Sequence, residues 1–481
     1  MDELRVKRQN RRSALETKEA RKARKEEMQA LNDDEEEEEL LYGARLKGNL
    51  GMLSIGQFLG WPSPSLPKLM EDNNVKHSIH LTADEASWVA SLLMLGAIAG
   101  AITCGLMVNF IGRKNTMLFT AVPSIISWLI IAFATSPWEL YIARFMSGIS
   151  TGIGFSVMPI YLGEISPANI RGNLTSMIGM ASKFGTLIAY VVAPFISVQN
   201  FALISLTSPC LFVIIFIWVP ESPYYFLRRN DKQKAINSFV QLRGKENIHE
   251  EIENIERSVK TDLTNKSDFR ELLFASRNRR ALMILLGLNG VVQMSGAQAV
   301  IQYAQIILDQ AHTNLEGKYL TMILGAIQVI FGTISMFLSD RIGRKPLLVI
   351  STIGAAFSTA IVATYFNLQY NYINTSNWLP TIGITIYVIM YCSGLAPVTL
   401  TITSELFSIN VKALGSTIVT IILNLWAFIV SKLYLIIANK YGTHVPFWTF
   451  TACSLAGTLF VLSYVPETKN KTLEQIQMDQ K

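Results

Sequence analysis

Two carboxylates recur with a cation at the same spacing. Glu164 is followed seven residues on by Arg171, and Glu405 seven residues on by Lys412. Each pair has a cationic turn upstream, Ile111-Gly112-Arg113-Lys114 in one case and Ile342-Gly343-Arg344-Lys345 in the other. Asn109 and Asp340 hold matching places before these turns, about half the chain apart. Carboxylates facing guanidinium groups form charge-assisted, often bidentate hydrogen bonds. The chemistry on offer is therefore electrostatic fastening, not bond making. No nucleophile–base constellation or metal-ligand spacing is visible, so no enzyme activity, metal or cofactor is expected. Cys104, Cys210, Cys392 and Cys453 all fall in apolar runs, where packing is their expected role.

A second set of polar groups lies inside apolar runs: Gln293, Gln298, Gln328 and Asn424, with Trp61 and Trp426 as neighbouring rings. Amides in apolar surroundings are costly unless satisfied. Either they line a cavity that holds a polar solute, or they fasten helix to helix. Lys183 stands alone near the middle of another run. An ionised group at bilayer depth costs roughly 2.5–3.5 kcal/mol on insertion scales. No acidic residue inside the other runs is an obvious partner for it. Snorkelling or a solvated cavity are the two ways to keep it charged.

The elements that must position these groups are membrane helices. The chain has 481 residues and is 50% hydrophobic, with a mean hydropathy of +0.32. A helix needs about 20 apolar residues to span a bilayer, and about twelve such segments can be placed. The net charge of +6 lies outside them, so it reads as topology and not as a nucleic-acid footprint. Arg and Lys in the short turns hold that side in the cytoplasm, and the near copy of the first turn in the second half marks a duplicated architecture. Residues 1–46 form a hydrophilic cytosolic tail without the pattern of a cleaved signal peptide. A six-helix bundle follows over 47–219, then a charged cytosolic linker with short helices over 220–280. A second bundle spans 281–465, and a short cytosolic tail spans 466–481. The first span, 48–66, ends in Gly60-Trp61-Pro62-Ser63-Pro64-Ser65-Leu66-Pro67, which should break a simple helix beside a cavity. Asn374-Thr375-Ser376 is an acceptor sequon in an outside loop.

These features together resemble the sugar porter family of the major facilitator superfamily, most of all the insect trehalose and hexose facilitators. The residues that carry the resemblance are both Gly-Arg-Lys turns, Pro159-x-Tyr161-x-x-Glu164, Arg171-Gly172, Pro220-Glu221-Ser222-Pro223, Gln293-x-Ser295-Gly296, Glu405-x-Phe407 and Pro466-Glu467-Thr468-Lys469. It covers about 48–477. The resemblance implies an all-α membrane protein of twelve transmembrane helices in two six-helix bundles, a central site and alternating access. It further implies that Arg113, Glu164, Arg171, Asp340, Arg344, Glu405 and Lys412 pair across the cytoplasmic ends and clamp an inward gate, joined by Glu221 and Glu467. Asn109 replaces the usual Asp and Lys412 the usual Arg, and Lys lacks the planar fork.

For substrate, the resemblance points to Gln293, Gln298, Gln328, Asn424, Trp426, Lys183 and Trp61. Val292 and Val398 stand where the pattern usually has an amide and a Trp, which implies weak hexose recognition. Lys183 falls about one turn beyond the place where span five of the glucose facilitators meets sugar, and it could favour anionic solutes. Proton-coupled relatives carry an Asp in span one. None lies in 48–66, so uniport is expected. The reading is a facilitative sugar carrier in the plasma membrane, with both termini cytoplasmic and the lipid bilayer and a sugar as its partners. A non-transporting sugar sensor and a carrier of a non-sugar solute on the same fold remain open.

Overall fold

The computed structural model describes residues 43, 46–71, 79–166, 171–243, 252–253, 255–257, 259, 275–373, 375–407 and 412–469. The hydrophilic tail, most of the charged linker beyond residue 243 and the sequon residue Asn374 lie outside them. Among the described residues there are helices and no strands. Eleven helical segments are long and apolar enough to cross a membrane, and the first apolar run supplies the twelfth in two shorter pieces.

We number the spans in chain order. Span α1 is a helix over 46–60 continued by Pro62–Met70. Next come α2 (Ala83–Phe110), α3 (Arg113–Phe119 and Ala121–Phe133), α4 (Pro137–Ile165), α5 (Arg171–Val192) and α6 (Val198–Phe216). The second half has α7 (Ser276–Met294 and Ala297–Asp309), α8 (Gly317–Ile342) and α9 (Arg344–Tyr370). It continues with α10 (Leu379–Met390 and Ala396–Leu406, joined by a π segment Tyr391–Leu395), α11 (Lys412–Tyr441) and α12 (His444–Tyr464). Two short helices, Pro223–Arg228 and Lys232–Arg243, lie between the halves and bury Leu227 and Ala235 in a small cluster of their own.

The proline-rich end of α1 divides the helix at Trp61, as expected, without redirecting it. Trp61 keeps helical angles, φ −52° and ψ −41°, and Ser65 N–H still reaches the Trp61 carbonyl at 3.2 Å. Pro62 and Pro64 fall in the first turn after Trp61, where a missing N–H removes little and the fixed φ suits the helix. Span α2 begins earlier than its apolar run, because Thr82 and Glu85 form a reciprocal capping box that satisfies two end donors. Ser136 and Glu139 do the same for α4.

Small residues set how closely the helices approach. A Cβ on Gly148 would come within 2.7 Å of the Gly96 Cα, so α2 and α4 pack backbone to backbone, as glycines permit. Across the halves, α2 packs on α11, α5 on α8 and the end of α1 on α7. The apolar cores show where those contacts lie. The largest combines both halves, Phe58, Trp128 and Phe201 with Tyr303, Tyr434 and Phe447. The other two belong to one half each: Met52, Val157, Tyr161 and Phe216 in the first, Leu285, Val398, Phe407 and Val461 in the second. The halves are therefore joined at the face opposite the Gly-Arg-Lys turns. Toward the turns each half closes on itself.

Candidate functional site

Each cationic turn is held by a carboxylate from the end of its own half. Gly112 has φ 94° and Gly343 φ 102°, a backbone region that glycine enters without strain. The turn then starts a helix whose first N–H groups have no partner in the helix. Glu221 accepts from Arg113 N and Lys114 N, both at 2.9 Å. Glu467 accepts from Arg344 N and Lys345 N, both at 3.0 Å. A carboxylate at a helix N-terminus also meets the positive end of the macrodipole. The two lysines repeat the symmetry: Lys114 Nζ donates to the Ile217 carbonyl at 2.7 Å and Lys345 Nζ to the Leu462 carbonyl at 2.8 Å. Each turn is thus tied to the last span of its half.

The arginines complete the cradles. Arg113 donates to Glu164 Oε1 from Nε at 3.0 Å and from Nη2 at 2.7 Å, and the Ser222 hydroxyl donates to the other oxygen. Arg344 Nη2 donates to Glu405 at 3.4 Å. These pairs lie inside each half. Among the described residues neither pair forms the expected clamp between halves, since at this face the halves have separate cores. Glu221 and Glu467 join as acceptors of backbone N–H, not as partners of a guanidinium. The side chains of Arg171, Asp340 and Lys412 lie outside the described residues. Asn109, in place of the expected acid, accepts from Arg228 Nη1 of the linker at 2.9 Å.

Around the break in α7 the structure gathers most of the expected amides. Gly296, left-handed at φ 98°, separates Gln293 from Gln298. Gln293 is buried, and among the described residues its Oε1 has no partner. Gln298 accepts from Gln302 Nε2 at 3.2 Å, and Gln302 in turn accepts from the Ser431 hydroxyl of α11 at 3.0 Å. Ser295 and Tyr387 share a hydrogen bond of 2.9 Å. Gln328 lies beside the Tyr190 hydroxyl, which donates across the halves to Ile301 O at 2.7 Å. Trp426 turns its indole edge toward Gly290 of α7. Asn424 donates to Thr420 O of its own helix at 2.8 Å.

Three residues sit elsewhere. Trp61 is fully buried under Arg144, whose guanidinium stands 5.4 Å from the ring. Lys183 reaches across from α5 to α8 and lies over Gly332, where a Cβ would come within 3.1 Å of its Cε. Val398 is fully buried in the core of the second half, so restoring a Trp there would overfill a packed core. Gln302 and Ser431 were missed in the sequence, although Gln302 falls one helical turn after Gln298 on the same face. Arg144 was also missed as a site: it donates to Val89 O and Phe58 O, both at 2.9 Å, and among the described residues its Nη2 has no partner.

At the opposite face an ion pair fastens the halves. Lys432 of α11 donates to Asp84 Oδ1 at 2.7 Å and to the Ser87 hydroxyl at 2.8 Å. Its ammonium also stands 4.1 Å from the centre of the Trp88 ring.

A family model described as "Sugar (and other) transporter" matches residues 19–479. The facilitated trehalose transporter Tret1 of Polypedilum vanderplanki is 32% identical over 440 residues, which cover 90% of this chain and 86% of that one. Tret1 of Anopheles gambiae is 32% identical over 438 residues, covering 90% of this chain and 55% of the relative. The chain thus spans about half the length of several curated relatives that it matches. Among solved structures, the inward open conformation of the xylose transporter XylE from E. coli aligns with a TM-score of 0.77 at 22% identity, covering 91% of this chain and 99% of that one. The proton:xylose symporter XylE bound to 6-bromo-6-deoxy-D-glucose aligns with a TM-score of 0.75 at 23% identity, covering 92% and 100%.

Proposed function

The chain belongs to the sugar (and other) transporter family, and from that premise we propose that it carries sugars of the trehalose or hexose class across a membrane by alternating access. The observation that carries this is the division of its cores. The halves share one core at one face and keep separate cores at the other, which is the form of a two-bundle carrier open at one end. Rocking the bundles about the α7 amides exposes them to each side in turn. The amides that hydrogen-bond along α7 and α11 match the hydroxyl groups of a sugar, and Gln293 has an oxygen to offer.

We read the Gly-Arg-Lys face as cytoplasmic from its positive charge, the present form as inward-open, and the chain as a plasma-membrane protein with both termini cytoplasmic. Transport is uniport. Arg144 is the fully buried cation of the first half, and it is held by two backbone carbonyls. No carboxylate among the described residues faces it, so no acid–base pair stands ready to couple a proton. The test is radiolabelled uptake and counterflow in proteoliposomes across a panel of sugars, with and without an imposed pH gradient. Saturable counterflow independent of the gradient is expected. Binding without counterflow would overturn transport, and accumulation driven by the gradient would overturn uniport.

A further inference from the structure

Span α7 bends a second time, beyond its break at Gly296. Tyr303 leaves helical angles, with φ −114° and ψ 17°, inside the piece Ala297–Asp309. That piece contains neither proline nor glycine. Sharp kinks of this kind arise where a side chain enters the i→i−4 ladder. Two side chains do so, both from the first half. The Tyr190 hydroxyl of α5 donates to the Ile301 carbonyl at 2.7 Å, and the Ser63 hydroxyl of α1 accepts from the Gln305 N–H at 3.1 Å. Ile301 and Gln305 are four residues apart. In a straight α-helix that carbonyl and that N–H bond to each other.

Both hydroxyls are delivered by close packing. Gly325 of α8 leaves room for the Tyr190 ring, since a Cβ there would come within 3.0 Å of its Cδ2, and Ser63 is fully buried. The hinge residue itself stays with the second half. Tyr303 donates to Ser431 O of α11 at 2.9 Å and stacks on Tyr434 of the same span. Just beyond α7, the Thr443 hydroxyl donates to Gln310 Oε1 at 2.8 Å and the Tyr365 hydroxyl to Ala311 O at 3.0 Å. The groups at 301 and 305 reach across the seam while the residues between and beyond them are fastened to their own half.

We propose that Tyr190 and Ser63 are positioning residues that hold α7 bent while the halves meet at this face, and that α7 straightens when the halves part. A buried backbone group left without a partner is costly. Parting the halves strands neither group, because the Ile301 carbonyl and the Gln305 N–H are released together and close on each other. The helix thus takes back the bond that the seam gives up. The hinge adjoins Gln302, so each stroke is felt at the amides of α7. The device rests on the rocking proposed for the two halves.

The test uses the full chain in intact cells, with the four free cysteines replaced by Ser. Phe428→Cys, at the seam with Trp88, is read by an impermeant maleimide added outside. Tyr190→Phe and Ser63→Ala each strand one backbone group in the closed form alone, so labelling should rise by about fivefold or more. Gln305→Pro also loses the bond to Ser63, and a lost tie by itself would raise labelling. Yet a proline there has no N–H, and in a straight helix its ring meets the Ile301 carbonyl. Labelling should therefore fall, by about fivefold or more. Gln305→Ala keeps the N–H and should label at the wild-type rate. The Tm in detergent verifies the fold of each variant. Unchanged labelling in Tyr190→Phe or Ser63→Ala, faster labelling in Gln305→Pro, or an equal fall in Gln305→Ala overturns the hinge. Where Gln305→Pro does not fold, the two hydroxyl variants decide alone. Sugar counterflow is measured separately, so failure of the hinge leaves the transport reading standing.

Discussion

Replacing Lys432 by Gln should open the face at which the halves are joined. The ion pair with Asp84 is half in solvent: the Lys432 side chain is 13% exposed, that of Asp84 66%. Screening therefore limits it to the surface range, about 0.2–1 kcal/mol. The contact with Trp88 at 4.1 Å adds about 0.5–1 kcal/mol. Together about 1–2 kcal/mol of bias toward the closed face is lost, a factor of about 5–30 in population. Phe428 of α11 faces Trp88 of α2 across this seam, with centroids 6.1 Å apart. With the four free cysteines replaced by Ser, Phe428→Cys reports the opening to an impermeant maleimide added from that face. Labelling should rise by about 5–30-fold in Lys432→Gln, and by less in Asp84→Asn, which leaves the ring contact. Equal labelling rates with and without Lys432 would refute the fastening, whatever the uptake rate does.

The two arginine–carboxylate pairs should prove unequal. Arg113 and Glu164 are 5% and 15% exposed at 2.7 Å, whereas Arg344 and Glu405 are 16% and 25% exposed at 3.4 Å. Glu164→Gln leaves a buried guanidinium short of its partner and should cost about 3–5 kcal/mol, against about 1 kcal/mol or less for Glu405→Gln; thermal unfolding in detergent compares them, and equal losses would refute the ranking. Burial raises the Glu467 carboxyl, but N–H donors from Lys469, Arg344, Lys345 and Thr468 outweigh it and hold it below the ordinary carboxylate value. Its stabilisation is therefore complete above about pH 4.3, the unfolded value, and is lost as pH falls through the lower folded value. The Tm advantage of the wild type over Glu467→Gln should be present at pH 7 and vanish in acid; an advantage that persists there contradicts the cradle. Lys183→Gln at matched surface expression should lose uptake of acidic sugars and keep that of neutral ones, because its ammonium is the charge laid over the seam at Gly332; an unchanged preference removes Lys183 from selection.

The turns show how far residues alone could lead. The spacing of Gly112-Arg113-Lys114 and Gly343-Arg344-Lys345 disclosed two halves, the spans and the carboxylates that serve them, because duplication writes the same physics twice. Which carboxylate meets which donor was not legible. Glu221 and Glu164 both follow spans of the first half, and only the fold shows that one takes backbone N–H and the other a guanidinium. The prolines at the end of α1 marked the break at Trp61, but not that Trp61 keeps helical angles and lets the second piece continue the direction of the first. Val398 misled because whether a residue faces a path or a core is set by helix rotation, and the π segment Tyr391–Leu395 alters that rotation within α10. Lys432 was invisible because its partners, Asp84, Ser87 and Trp88, belong to the other half, and contacts between halves have no periodicity to betray them.

The cradles that close within each half have a kinetic consequence. Under the proposed rocking of the halves, Arg113 with Glu164 and Arg344 with Glu405 would stay intact, since both members of each pair belong to one half. The Lys432–Asp84 bond joins the two halves, so the same proposed rocking would have to break it each time. Its rupture falls on one stroke only, the one that parts α2 from α11. The barrier of the cycle is therefore lopsided, and that stroke alone should quicken as salt screens the bond, while the return stroke keeps its pace.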